Sequence, residues 1–118
     1  MKTYCLIVLL ITLFLAGLPS AAFAASQEFT IINASDSDIY ELSIAPSTSA
    51  EQGPNALKGR ELLNGQSARI VFPNYDPGII QWDVWGINCC GEKLKWQQLN
   101  LNIAHTITLH EGGQAELN

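Results

Sequence analysis

Short runs of alternating apolar and polar residues, each closed by a turn signal, dominate residues 28–109 of this chain. Successive side chains on a strand point to opposite faces, so such runs make strands with one buried and one solvated face. Apolar spacing of the helical kind is almost absent. Residues 28–33 place Phe29 and Ile31 on one face. Residues 39–45 place Tyr40, Leu42 and Ile44 opposite Glu41 and Ser43. Residues 66–72 alternate Ala68, Ile70 and Phe72 with Arg69 and Val71. Residues 79–88 are the most strand-like run, with Ile80, Trp82 and Val84 against Gln81, Asp83 and Trp85. Residues 92–101 set Leu94 and Trp96 against Lys93 and Lys95, and residues 105–109 turn Ile107 and Leu109 inward.

The connections carry turn chemistry. Residues 34–38 are a polar turn, Asn64-Gly65 is a tight one, and Cys89-Cys90-Gly91 sits where a hairpin turn belongs. Residues 46–64 form the long connection, rich in Pro, Ser, Gly and Asn, with a short helical turn expected near residues 60–63. Leu57, Leu62 and Leu63 are expected to pin it to the core, and Gly112-Gly113 to begin a frayed tail. Strands of this number and spacing predict an all-β fold, a small antiparallel β-sandwich of about six to seven strands.

Residues 1–24 stand outside that pattern. Lys2 gives a positive start, residues 5–18 are apolar except for Thr12 and Gly17, and Ala22-Phe23-Ala24 sets small residues before a cut at Ala25. This is the pattern of a secretory signal peptide. Its apolar run would span only about 21 Å as a helix, short of the ~30 Å hydrocarbon core of a membrane. The expectation is a signal peptide at 1–24, one sandwich domain at 25–118, a secreted or periplasmic location, and no membrane insertion after cleavage. Without Lys2, five basic residues face eleven acidic ones. Such a balance disfavours nucleic acid, which needs clustered positive charge.

Export brings the two remaining cysteines, Cys89 and Cys90, into an oxidising compartment. Adjacent residues cannot build a disulfide framework, so a hydrophobic core must hold the domain. Consecutive Cα atoms lie about 3.8 Å apart, below the usual separation of disulfide partners, so a bond between the two closes a strained and labile ring. A vicinal disulfide, a redox switch, a soft-metal site, an intermolecular bond, and one inward-packed cysteine beside a tolerated thiol all remain open. The Cys-x-x-Cys spacing of thioredoxin-like exchange is missing.

The other chemistry-bearing residues read more plainly. His105 and His110 have opposite strand parity and do not make a metal pair. Asp36 and Asp38 suit Asx-type turn bonds rather than a calcium loop. Glu41, Asp83 and Glu92 read as solvated carboxylates on polar faces. Trp82 and Trp96 are in phase with the core, whereas Trp85 is out of phase, either exposed for a glycan or a partner protein or covered by the 46–64 connection. Asn33-Ala34-Ser35 matches a glycosylation acceptor, best explained by chance.

The order of these features resembles a known family. Phe29-Thr30-Ile31-Ile32-Asn33, a polar turn, a strand ending at Pro46-Ser47, Leu62-Leu63, Asn64-Gly65-Gln66-Ser67, Trp82-Asp83-Val84 and Thr106-Ile107-Thr108-Leu109 follow one another. Residues 29–109 are in this respect similar to a family of small exported bacterial β-sandwich proteins with no established activity. The resemblance implies export and a sandwich, and it carries over no catalytic residue. Trp85 stands where a small or basic residue is common in that family, and Cys89-Cys90 occupies the hairpin tip.

The expected function is a non-enzymatic binding module for an unidentified protein or glycan, with no catalytic residues, metal or cofactor. Its candidate binding residues are Trp85, Cys89, Cys90 and Gly91. An inhibitor or immunity-type protein that blocks an enzyme cleft is the alternative, with a thiol-redox protein behind it.

Overall fold

A computed structural model describes residues 27–118. The signal peptide expected at residues 1–24 lies outside the described residues.

Seven strands form two sheets: β1 (Gln27–Ala34), β2 (Ile39–Pro46), β3 (Ser67–Phe72), β4 (Trp82–Asn88), β5 (Lys93–Leu99), β6 (Thr106–His110) and β7 (Ala115–Leu117). One sheet runs in the order β3-β1-β6-β7 and the other in the order β2-β4-β5. The alternation read along the chain supplies the core between them. Phe29 and Ile31 from β1, Leu42 and Ile44 from β2, Ile70 and Phe72 from β3, Trp82 and Val84 from β4, Trp96 from β5, and Ile107 and Leu109 from β6 are all buried. This is the expected all-β sandwich, with one difference in strand direction: β1 and β6 pair in parallel, Ile31 opposite Ile107. A parallel pair cannot be joined by a tight hairpin. Here β6 arrives from the other sheet, through the 3₁₀ turn Leu101–Ile103.

Tyr40 is exposed instead of inward. A bulge puts it between Ile39, which pairs with Asn88, and Glu41, which pairs with Ile87. The extra residue shifts the phase, so that Ile39 is buried and Tyr40 is 40% exposed. Ile80 is also turned outward, 62% exposed, because β4 begins only at Trp82. Tyr75, in the loop before it, takes the inner position. Its ring stacks on Trp82 at 5.4 Å and meets Phe29 edge-on at 5.6 Å.

The long connection lies along the free edge of β2. Gly53 N–H donates to the Ile44 carbonyl, Ala56 N–H to the Leu42 carbonyl, and Leu62 and Ile39 exchange a pair of bonds. A Cβ at Gly53 would come within 2.5 Å of the Ile44 carbonyl oxygen, so only glycine allows this approach. Leu57 and Leu62 are buried as expected, but Leu63 is exposed, and Leu62 forms a β-bridge where a helical turn was expected. The C-terminus is not frayed. After Gly112-Gly113 the chain forms β7 on β6, and Asn118 exchanges backbone bonds with Thr106.

Candidate functional site

The β4–β5 turn is built around Asn88, the last residue of β4, which is buried. Its side-chain oxygen accepts the N–H groups of Cys90 and Glu92, both at 2.9 Å. Its amide nitrogen donates to Glu92 Oε1 at 2.8 Å. Its backbone N–H donates to the Glu92 carbonyl, and its carbonyl accepts Gly91 N–H. Gly91 has φ +79°, a left-handed conformation that glycine adopts without strain. The Cys89 N–H is taken up by the Asp38 carbonyl at 3.2 Å. Every backbone N–H from Cys89 to Gly91, and that of Glu92, therefore has a partner.

This frame presents two exposed free thiols with their Sγ atoms 3.4 Å apart. The Cys89 thiol is held above its ordinary pKa range, first by its hydrogen bond to Cys90, then by desolvation and by negative charge on Cys90 and Asp38. Cys89 thus stays protonated at neutral pH, which does not suit a thiolate nucleophile. The bulged Tyr40 stands beside this tip. Its phenol is also pushed above the usual range, chiefly by the Glu61 carboxylate, then by desolvation and by Cys89, Asp38 and Cys90.

Trp85 lies on the same strand but on another surface. It projects from the outer face of β4, opposite Ser43 on one side and Lys95 on the other. Four residues at about 3.3 Å each put it roughly 13 Å from Cys89. The Lys95 ammonium sits 4.4 Å from its ring centre. Gln52, Gly53 and Asn55 of the long connection close in from the other side, leaving a depression of ≈ 30 Å³. That is room for a water or two, not for a sugar ring. Trp85 is consequently half-buried, its flanks taken by protein groups.

Asp83, read as solvated, is only 5% exposed. Its Oδ1 accepts Ser47 Oγ at 2.8 Å and Gln98 N–H at 3.0 Å, and Lys95 Nζ lies 3.5 Å from Oδ2. It closes the bulge of β5, where Gln98 takes a positive φ of 57°. Glu41 and Glu92 are exposed, although Glu92 is engaged by Asn88. Asp36 and Asp38 make no local Asx turn. Asp38 Oδ1 accepts Asn64 N–H, while Asp36 N–H donates to Asn64 Oδ1. His110 pairs with Glu116 across β6 and β7 at 3.0 Å.

The Asx role belongs to Asn33, which is fully buried. Its oxygen accepts Ser35 N–H and Ser35 Oγ, and its nitrogen donates to the Ser37 and Leu62 carbonyls. An amide so enclosed has no room for a glycan, so chance does account for the acceptor triplet. Among the described residues, no group of three or more His, Cys, Asp or Glu side chains is placed to hold a metal ion.

The chain matches no protein-family model, no curated protein and no solved structure.

Sequence reasoning found the tip but missed the residue that holds it. The available signal was an asparagine closing a strand ahead of Cys-Cys-Gly-Glu, since asparagine side chains bond the backbone two residues on. Tyr40 was missed for a different reason: its bulge depends on the pairing partner, not on its own neighbours.

Proposed function

We propose that the protein is an exported, non-enzymatic interaction module that engages a partner protein through the Cys89-Cys90-Gly91 tip, with Tyr40 at its side. The observation that carries this reading is the combination of exposure and order at the tip. Two exposed thiols are set on a turn whose backbone N–H groups are all hydrogen-bonded, with the exposed phenol of Tyr40 beside them. Ordering a loop on binding costs free energy, and a turn already ordered avoids that cost. The leader pattern at residues 1–24 and the resemblance to exported sandwich proteins support a secreted or periplasmic location. Among the described residues no helix is long and apolar enough to cross a membrane. The tip is favoured over Trp85, whose flanks are occupied.

The same preordered tip supports a second reading, an inhibitor or immunity-type protein that seats it in an enzyme cleft. Both readings predict that the double variant Cys89→Ser, Cys90→Ser keeps its melting temperature within about 4 °C, because exposed substitutions of this kind change stability by about 0.5 kcal/mol or less. Affinity capture from the native exported fraction should retain a partner with the wild type and Trp85→Ala and lose it with the double variant. Recovery of an enzyme that the wild type inhibits would select the second reading. Equal capture by all three proteins would remove the tip as the binding surface.

A further inference from the structure

We propose that Cys89 and Cys90 together form a chelating site for a pyramidal trivalent thiophile, with As(III) as the chemical class. The sulfur separation is the first argument. At the ~2.3 Å of a zinc–thiolate bond, a linear S–M–S unit holds its sulfurs ~4.6 Å apart and a tetrahedral one ~3.8 Å, whereas a right-angled unit needs ~3.3 Å. The Cys89 and Cys90 sulfurs are 3.4 Å apart. Pyramidal As(III) bonds its sulfurs at close to a right angle. Linear soft ions such as Hg(II) would force the pair apart. Tetrahedral Zn(II) or Cd(II) wants four ligands, and no third His, Cys, Asp or Glu joins the pair among the described residues.

The backbone supplies the second argument. The N–H groups of Cys89, Cys90 and Gly91 are held by the Asp38 carbonyl, Asn88 Oδ1 and the Asn88 carbonyl. Closing a direct disulfide would bring the sulfurs to ~2.05 Å and twist the peptide between them, against those bonds. A bridging atom needs only side-chain rotation. Access is open, since both thiols are exposed.

The chemistry balances without a redox partner. Arsenous acid exchanges two of its As–O bonds for As–S bonds to Cys89 and Cys90. The two displaced hydroxyl groups leave with the two thiol protons as two waters. Arsenic stays trivalent and keeps its third hydroxyl toward solvent. Because the protons leave in water, the raised pKa of Cys89 does not block the step.

The test uses the mature protein isolated without reductant, with phenylarsine oxide as probe and intact mass as readout. The expected product is a one-to-one adduct whose mass is that of the protein plus one phenylarsine oxide less one water, the oxide oxygen leaving with the two thiol protons. It should survive excess glutathione and be removed by dimercaptopropanol. Two linked ligands exceed one by roughly 10²–10⁴-fold, so Cys89→Ser and Cys90→Ser should each weaken retention by that order, giving adducts that glutathione strips. Equal retention by either single variant would overturn the proposal. So would isolation of the protein with its sulfurs already bonded and inert to the probe, or displacement of the arsenical by equimolar Cd(II). No partner protein enters the measurement, so its outcome is separate from that of the binding tip.

Discussion

Two asparagines bracket two turns of this sandwich with the same local bond, yet the turns serve different ends. Asn33 near the end of β1 and Asn88 at the end of β4 each accept the N–H two residues on, from Ser35 at 3.0 Å and from Cys90 at 2.9 Å. They differ in where the amide nitrogen goes. That of Asn33 reaches the Ser37 carbonyl, four residues on, and also the Leu62 carbonyl, 29 residues along the chain, whereas that of Asn88 reaches Glu92, four residues on. The first turn is thereby tied to the long connection, and Ser35 is buried with it. The side-chain bonds of the second stay within the turn, its long-range tie being the Cys89 N–H to the Asp38 carbonyl, and it leaves Cys89 and Cys90 in solvent. A bracket closed over a long range becomes part of the core, whereas one closed locally can hold an exposed surface still.

The contrast breaks most readily at Asn33. Asn33→Ala strands the buried Ser35 N–H and takes one donor each from the Leu62 and Ser37 carbonyls, which keep Ile39 N–H and Ser35 Oγ. A buried polar group left unpaired costs about 1–3 kcal/mol and each further bond lost about 1 kcal/mol, so a loss of about 3–4 kcal/mol is expected in urea unfolding. A loss under about 1 kcal/mol would mean that the long-range closure does not matter. At Asn88 the effect should be smaller. Water can replace the lost acceptor at an exposed tip, so Asn88→Ala should cost about 1–2 kcal/mol. It should also disorder the tip, seen as faster amide exchange at Cys90 and Glu92. A cost equal to that of Asn33→Ala would erase the distinction between the turns.

The smallest effect sharpens the picture of the tip itself. The raised pKa of Cys89 means less thiolate at any given pH below it. Alkylation of Cys89, followed by mass, should therefore rise with pH through a midpoint above that of an ordinary cysteine. In Cys90→Ala, which removes the largest cause, the midpoint should fall back toward the ordinary range. An unchanged midpoint would show that the two thiols do not share a proton.

Much of the fold was legible because period-two alternation reports burial directly. Phe29, Ile31, Leu42, Ile70, Phe72, Val84 and Ile107 needed only their spacing to be placed. Trp82 and Trp96 followed the same phase. The candidate site was legible only as a location. Cys89-Cys90-Gly91 sits at the hairpin tip because the two flanking strands are short and adjacent, but its neighbours Asp38 and Tyr40 come from the start of β2, which lies beside the end of β4 in the sheet though far from it in the chain.

What the sequence determined by itself was therefore the all-β class, the core phase of most strands, the place of the hairpin tip and the acidic balance. Each of these rests on interactions between residues close in the chain, or on sums over all of it. Tertiary structure alone decided the parallel pairing of β1 with β6, the bulge that turns Tyr40 outward, the burial of Asp83, the addition of β7 and the covering of Trp85. Each of those depends on a partner far along the chain. A side chain's exposure is set by what packs against it, and local alternation carries no record of that partner.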